Sequence, residues 1–290
     1  MNHFFVRPED IIFNDNTWNS GDSAEKNEKD TNSGYRGDVA ADCVRNPEGL
    51  SNKVEGPGRI IITGSDVNHI RNVLRMKVGE ELLLSDGEGM DYHCEISCFE
   101  SECVVCRILD TETSRTEPSV KFYLFQGLPK ADKMEHIVQK SVELGVFEII
   151  PVETSRTVVK YDDKKKKNRV DRWQKIAEGA AKQSHRGIIP EVKSVMRYSD
   201  ALKYAAELDL VLIPYENFKD MKATKEVLSK ISPGMRVGIF IGPEGGFEQD
   251  EISRAEECLE KADLISLGSR ILRTETAPLM LLSVLLFHLE

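Results

Sequence analysis

Alternating apolar and polar positions dominate the first part of the chain. β-Branched runs separated by glycine turns predict strands at residues 3–6, 59–63, 81–87, 91–97 and 102–109. One helical pattern interrupts them at residues 66–74, with Ser65 or Asp66 as the candidate N-cap. These short strands predict a small β-barrel over residues 1–116, with a polar linker near residues 111–119.

The second part, residues 117–290, alternates strand patterns with helix patterns. Strands are predicted at residues 120–126, 147–151, 209–214, 236–242 and 263–267, and helices at 131–144, 165–184, 248–259 and 275–288. This alternation predicts an α/β domain with a parallel sheet and helices on both faces. The last helix is apolar nearly all round, so we expect it to be buried on both sides, in a core or in a dimer seam.

Two further patterns are a polar insertion and a cysteine cluster. Residues 14–57 are rich in Asn, Asp, Ser, Glu, Gly and Lys, which predicts a flexible insertion because so few apolar residues cannot form a core. Cys94, Cys98, Cys103 and Cys106 lack the paired spacing of a structural zinc site. They lie in predicted strands, where cysteine acts as a small hydrophobe, so we expect core thiols and no metal.

Two glycine-containing segments each follow a predicted strand and lead into a predicted helix. They are Ile241-Gly242-Pro243-Glu244-Gly245-Gly246-Phe247 and Leu267-Gly268-Ser269-Arg270-Ile271-Leu272-Arg273-Thr274-Glu275-Thr276-Ala277. Glycine lets a ligand lie against the backbone, and a helix N-terminus offers free N–H groups. The pair predicts a small polar ligand held mainly by backbone; a tight turn is the alternative for the first segment. A phosphate loop is disfavoured because no Gly-Lys-Ser/Thr follows.

Both segments resemble the C-terminal signature of the knotted (SPOUT-class) RNA methyltransferases, and within that class the 16S ribosomal RNA uridine N3-methyltransferases (RsmE type). Four more blocks of that family occur in the same order, at residues 1–6, 69–80, 128–146 and 181–186. The resemblance implies a trefoil-knotted α/β domain at 117–290 after a PUA-like RNA-binding barrel at 1–116. It also implies S-adenosylmethionine (SAM) as methyl donor and a homodimer. Because the sulfonium already activates the methyl group, no metal is expected.

The resemblance implies that three segments hold SAM, each at the C-terminal end of a strand. The expected residues are Ile213, Tyr215, Glu216, Ile241, Gly242, Pro243, Glu244, Gly245, Leu267, Gly268, Ile271, Leu272, Thr274 and Thr276. Among them, Gly242, Gly245 and Gly268 would permit close approach of the ligand. Glu244 would face the sulfonium or, alternatively, stabilise its turn.

Methylation at N3 of uridine requires loss of a weakly acidic imide proton, which needs a base or a cation that stabilises the developing anion. We expect Arg273 to stabilise this charge or position the substrate, and Glu275 to be the base. The alternative for Glu275 is a first-turn acid that complements the dipole of the last helix.

The net charge of −10 argues against a nucleic-acid partner, but its distribution does not. Residues 156–186 contain eleven Lys and Arg against four acids. The run at 164–167 is either part of a phosphate-binding patch or a solvated helix start. The family blocks imply an RNA contact at Lys130, and contacts with the RNA or the partner subunit at Arg156, Gln183 and Arg186. The barrel adds Arg7, Arg71 and Arg75 as phosphate contacts, with surface solubility as the alternative for Arg71 and Arg75. Arg71 and Arg75 are four apart, which puts them on one helix face.

We therefore expect a SAM-dependent enzyme that methylates N3 of a uridine in small-subunit ribosomal RNA, naked or in the assembled subunit. The alternatives are a knotted methyltransferase with another RNA target and a non-catalytic RNA-binding ribosome-assembly factor. Intact Gly242, Gly245, Arg273 and Glu275 argue against the latter. The longest apolar run, residues 278–287, is far shorter than the ~20 residues of a membrane helix, and no secretory signal is visible. A cytoplasmic protein without a membrane partner is expected.

Overall fold

A computed structural model describes residues 1–13 and 57–289, and it divides into two compact units, Met1–Ser114 and Arg115–Glu290. The predicted insertion at residues 14–57 therefore lies outside the described residues, apart from Pro57. Within the described ranges, no helix is long and apolar enough to cross a bilayer.

The first unit is built on a six-stranded sheet. Its strands are β1 (Asn2–Phe5), β2 (Ile11–Phe13), β3 (Gly58–Ile62), β4 (Glu81–Ser85), β5 (Met90–Phe99) and β6 (Val104–Thr113). They lie in the order β1-β4-β5-β6-β3-β2, with only the β1–β4 pair parallel. A short helix α1 (Ser65–Asn68) continues as a π-helical turn over His69–Val73, and a 3-10 turn covers Pro8–Asp10. Among the described strands, β1 and β2 end the sheet unpaired with each other, so hydrogen bonds between these strands do not close the predicted barrel.

Side chains that alternate along these strands fill the core of the first unit, as the period-two pattern predicts. Ile60, Leu82 and Leu84 are buried there together with the thiols of Cys94 and Cys106. Burial raises the pKa of the Cys94 thiol to about 12. Cys103 is buried in a neighbouring cluster, so these three cysteines are core thiols as predicted, whereas Cys98 is only half-buried.

Local details of the first unit differ from the prediction. The residue before α1 is Gly64, and no side chain caps the helix, so the predicted caps Ser65 and Asp66 are wrong. Strand β6 runs through Thr113 because its pairing with β5 continues to Met90, which shortens the predicted linker. Strand β2 was not predicted, since three residues carry too little periodicity.

The second unit confirms the predicted α/β alternation. Its strands are β7 (Lys121–Gly127), β8 (Val146–Glu153), β9 (Glu191–Val192), β10 (Met196–Arg197), β11 (Leu210–Pro214), β12 (Arg236–Ile241) and β13 (Ala262–Ile265). Its helices are α2 (Lys133–Glu143), α3 (Asp163–Gln183), α4 (Tyr198–Ala205), α5 (Met221–Leu228), α6 (Gln249–Cys258) and α7 (Ala277–Leu289). All strand pairs are parallel, in the order β10-β8-β7-β12-β11-β13, with β9 also paired to β8. The short elements β9, β10, α4 and α5 were not predicted.

The last helix, α7, is buried on one side only. Leu281, Leu282 and Leu285 are buried, but Val284 is 39% exposed and Phe287 is 90% exposed. The expectation of burial on both sides is therefore wrong for a single chain.

Arg186 is part of the core of the second unit, so its predicted contact with RNA is wrong. Its side chain is 2% exposed and forms a two-pronged ion pair with Glu117, at 2.8 and 2.5 Å. The same guanidinium donates to the carbonyls of Val142 and Val146. Glu117 also accepts the backbone N–H groups of Gly187 and Ile188. This network joins the start of the unit to the connection between α2 and β8.

Replacing Arg186 by Met keeps the approximate side-chain volume but removes the guanidinium that pairs with Glu117 and donates to two buried carbonyls. We expect the free energy of unfolding to fall by about 3–5 kcal/mol, as for other broken buried pairs. Denaturant titration of Arg186→Met measures this loss. The matched control is Arg172→Met, whose guanidinium is 59% exposed in a surface pair and whose loss should stay below about 1 kcal/mol. Equal losses in both variants would contradict a structural role for Arg186.

Candidate ligand-binding site

Three loops at the carboxyl ends of β11, β12 and β13 enclose a cavity of about 660 Å³. The volume lies within the range of small-molecule sites, and the position is where parallel α/β sheets place ligands. Residues 214–219, 241–244, 246–247 and 266–274 line the cavity, together with Lys133 and Ala277.

Most of the residues predicted to bind the ligand do line this cavity. They are Tyr215, Glu216, Ile241, Gly242, Pro243, Glu244, Leu267, Gly268, Ile271, Leu272 and Thr274, and the predicted catalytic Arg273 joins them. Four others do not line it: Ile213 is buried in its strand, and Gly245, Glu275 and Thr276 lie outside the lining.

Sequence reasoning missed several lining residues. Asn217, Phe218 and Lys219 extend the segment after β11, so following that loop further would have found them. Lys133, however, is the first residue of α2, about eighty positions or more from the other lining segments. No sequence pattern links it to them, because only the packing of α2 against the sheet brings it there.

The hydroxyl of Thr274 ties the loops of the site together. It donates to the carbonyl of Gly242 (2.7 Å) and accepts from the side-chain amide of Gln126 (3.0 Å). Thr274 is 6% exposed and Gln126 is fully buried. Strand β7 and the segments that follow β12 and β13 are thereby joined at one side chain.

Gly242 follows β12 and Gly268 follows β13, and glycine suits these two positions for different physical reasons. A Cβ on Gly242 would lie 2.9 Å from backbone atoms of Gly246, so the fold of its own loop requires glycine there. Gly268 has φ +100° and no neighbouring atom within 4 Å of an added Cβ. The backbone of Gly268, which lines the cavity, is therefore unobstructed, and close approach of a ligand there stays a prediction.

The loop after β13 offers unused backbone donors beside apolar side chains. Within the described part of the chain, the N–H groups of residues 269–273 donate no hydrogen bond. Ile271 is 86% exposed, and Leu267 and Leu272 line the cavity beside it. This combination suits a flat ring system with polar edges.

An ion-pair cluster forms one rim of the cavity. The ammonium of Lys133 lies 3.0 Å from a carboxylate oxygen of Glu244 and 3.3 Å from one of Glu275. Glu244 also accepts the backbone N–H of Lys130 at 3.0 Å. The hydrogen bond to Glu244 raises the pKa of Lys133. Partial burial acts to raise the pKa of Glu244, but these hydrogen bonds outweigh it and hold that pKa below its usual value. Lys133 is thus cationic and Glu244 anionic at neutral pH.

The other residues predicted to contact RNA occupy separate places. Arg156 donates to the carbonyl of Gly245 at 2.5 Å while its side chain remains 42% exposed, so it lies beside the glycine loop of the site. Lys130 and Gln183 are exposed. These three positions remain predictions.

Two of the first unit's residues that were predicted to contact RNA, Arg7 and Arg71, form contacts within that unit. Arg7 pairs with Glu9 and Asp10. Arg71 donates to the carbonyls of Glu100 and Ser101 and packs over the ring of Phe99. Arg75 follows the end of the helical turn with φ +54°, so the prediction that it shares a helix face with Arg71 is wrong.

The fold and the cavity define a two-unit protein whose α/β unit holds a small-ligand site at the carboxyl edge of a parallel sheet. Residues 116–286 match the family described as RNA methyltransferase domain, and residues 62–97 match the RNA methyltransferase PUA domain. The chain belongs to the RNA methyltransferase family.

Individual relatives agree with this assignment. The Ribosomal RNA small subunit methyltransferase E of Bacillus subtilis is 36% identical over 241 residues, which are 82% of this chain and 93% of that protein. The protein of the same name from Neisseria gonorrhoeae, solved bound to SAM, is 31% identical with a TM-score of 0.66, covering 78% and 90% of the two chains. A methyltransferase structure from Legionella pneumophila with bound SAM is 33% identical with a TM-score of 0.67, covering 80% and 93%.

Replacing Thr274 by Val removes the hydroxyl but keeps the shape, so the Gly242 carbonyl and the Gln126 amide each lose a hydrogen bond. We expect a loss of stability of about 1–3 kcal/mol, seen as a fall of several degrees in the melting temperature. Thr274→Ser keeps the hydroxyl and serves as control. If Ser lowered the melting temperature as much as Val, packing of the methyl group and not the hydrogen bonds would hold the loops.

Proposed function

We propose that this chain transfers a methyl group from SAM to N3 of a uridine in small-subunit ribosomal RNA. The observation that carries the proposal is the cavity formed by the three loops, because its lining includes both segments that resemble the family signature. The relatives named for small-subunit ribosomal RNA, one of them bound to SAM, support it.

The cavity fits SAM on its own chemistry. The open N–H groups of residues 269–273, with Leu267, Ile271 and Leu272, suit the edges and faces of adenine. The carboxylates of Glu216 and Glu244 suit the cationic amino and sulfonium groups. When bound, SAM supplies a methyl group already activated by the positive sulfur.

Transfer of the methyl group from the sulfur to N3 replaces the N3–H bond, and the released proton passes to solvent water, so the protein must stabilise the uracil anion that this loss leaves. Arg273 lines the cavity and is always charged, so we assign it to stabilise the negative charge that develops on the uracil ring. Lys133, also in the lining, adds a second cation. Glu275 lies outside the lining and against Lys133. A carboxylate held 3.3 Å from the ammonium of a lining residue fixes that ammonium, so we assign Glu275 to position Lys133.

The proposal is tested by incubating labelled SAM with small ribosomal subunits from cells that lack this protein, and analysing the product nucleosides by mass spectrometry. N3-methyluridine at one site is the expected product. A different methylated nucleoside would overturn N3 of uridine as the target atom. Transfer only to other RNA would overturn small-subunit ribosomal RNA as the substrate. Binding of RNA without any transfer would favour the ribosome-assembly alternative.

Arg273→Ala should lower methyl transfer about a hundredfold while the Kd for SAM changes less than about threefold, since the charge acts mainly on the transition state. Calorimetry with SAM and single-turnover transfer assays separate the two effects. Equal losses in binding and transfer would mean that Arg273 only shapes the cavity.

Glu275→Gln is the comparison variant. Because Glu275 is assigned a positioning role, this substitution should lower the rate of methyl transfer less than about tenfold. The fall of the rate toward low pH should remain. A loss of a hundredfold or more, together with disappearance of that pH dependence, would restore Glu275 as the general base.

A homodimer, a trefoil knot and a cytoplasmic location complete the proposal. Exposed Val284 and Phe287 on α7 support the dimer, since an apolar helix face in contact with water favours a partner. After β13, at one end of the sheet, the chain reaches Thr274, which is buried against Gln126 of β7 and Gly242 after β12. This path supports the threading of the C-terminal segment. The location follows from the ribosomal substrate.

Phe287→Lys should convert the dimer into a monomer, because a charge replaces a side chain that is 90% exposed in the single chain and would be buried in the seam. Sedimentation velocity should give twice the chain mass of 32.7 kDa for the parent and one chain mass for the variant. Leu109→Lys, 40% exposed on β6 of the other unit, should remain dimeric. A parent protein that sediments as a monomer would overturn the dimer.

A further inference from the structure

A dense basic patch covers the start of α3 and the residues just before it. Residues 160–175 contain eight Lys and Arg against three Asp. Four of these cations are consecutive, at positions 164–167, in the first turns of the helix. The helix buries its other side through Trp173, Ala177, Ala180 and Ala181. Lys160, Lys164, Lys165 and Lys167 are all exposed.

The stability of the helix does not explain this patch. The first turn of a helix carries the positive end of the dipole, where cations are unfavourable. Asp162 offsets part of this by capping the helix, accepting the N–H of Lys165 at 2.7 Å. Lys166 pairs with Glu153 at 2.8 Å. Within the described ranges, Lys160, Lys164, Lys165 and Lys167 have no carboxylate within ion-pair distance. Asp162 and the ring of Tyr161, whose centroid lies 5.0 Å from the Lys165 ammonium, offset the repulsion between these charges only in part.

Two sets of contacts place the patch beside the cavity. On one side, Arg169 and Arg172 of α3 reach Glu135 of α2, at 3.5 and 2.8 Å, and α2 begins with the cavity residue Lys133. On the other side, Arg156, in the segment that leads into α3, donates to the carbonyl of Gly245 in the glycine loop. The arginines are held by these contacts, whereas the lysines project from the same region.

We infer that Lys160, Lys164, Lys165 and Lys167 form a docking surface for the phosphate backbone of the substrate RNA. Exposed ammonium groups at the start of α3 and just before it neutralise phosphates without reading sequence, which positions a polyanion and leaves base selection to the cavity. A basic patch on a chain with net charge −10 also orients an approaching polyanion toward that patch. The choice of RNA as the polyanion rests on the proposed function.

The test is a triple variant, Lys164→Gln, Lys165→Gln and Lys167→Gln, in the full chain. Its control, Lys203→Gln, Lys225→Gln and Lys230→Gln, makes the same change of charge at exposed lysines elsewhere in the second unit. Binding is followed by fluorescence anisotropy of a labelled small-subunit ribosomal RNA fragment and of an unrelated RNA of equal length, at several salt concentrations. Methyl transfer to small subunits gives KM and kcat, and calorimetry gives the Kd for SAM.

For the triple variant we expect the Kd for both RNAs and the KM to rise about tenfold, and the slope of log Kd against log salt to fall by about two. The kcat, the Kd for SAM and the melting temperature should be retained, with the melting temperature no lower than in the parent because repulsion at the helix start is relieved. The control variant should behave like the parent.

The outcomes separate this inference from the proposed function. If the parent binds and methylates RNA while the triple variant matches the control, the docking surface is overturned and the function stands. If RNA binding depends on the three lysines but no methyl group is transferred, the surface stands and the function falls. If the parent neither binds nor methylates RNA, both are overturned.

Discussion

The hydroxyl of Thr274 is the contact on which the site depends. It brings the segment after the last strand, β13, against the end of the central strand β7 and the loop that follows the central strand β12. Since β13 lies at one end of the sheet, the chain must cross toward the sheet's centre before α7 begins. This crossing places residues 266–274 over the carboxyl ends of the strands, and the cavity exists because the crossing segment closes it. One buried side chain with two partners thus links the topology of the sheet to the shape of the ligand site.

Around that cavity, the charges are arranged in layers. Glu216 and Glu244 carry negative charge in the lining, where they suit a cationic donor, and Arg273 and Lys133 lie in the same lining. The Lys133 ammonium is fixed between two carboxylates, so its position depends on Glu244 and Glu275 together. Farther out, Arg156, Arg169 and Arg172 are tied to acceptors, whereas Lys160, Lys164, Lys165 and Lys167 have no carboxylate partner among the described residues. The cations that connect to the cavity are therefore held by acceptors, and the exposed lysines leave their charge to solvent.

Much of this organisation could be predicted from sequence. The alternation of apolar and polar positions predicted the parallel sheet, because strands buried on both faces read as apolar runs and the covering helices keep their own period. The two glycine segments predicted a ligand site because they directly follow strands whose carboxyl ends meet at one edge. Elements of two or three residues, such as β9 and β10, carry no detectable period, and the eight-residue helices α4 and α5 owe their stability to packing.

What the sequence by itself determined, then, was local: the periods of the strands and helices, the glycines at their ends, and the concentration of positive charge before and within α3. Only the tertiary structure decided the roles of side chains whose partners are distant. Arg186 proved to be a core residue because Glu117, about seventy positions away, neutralises it. Glu275 lies outside the cavity lining and pairs with Lys133, and Lys133 is a lining residue that comes from another helix. A charged residue has the same identity on the surface, in a core or in a site, and only the groups that fold against it distinguish the three.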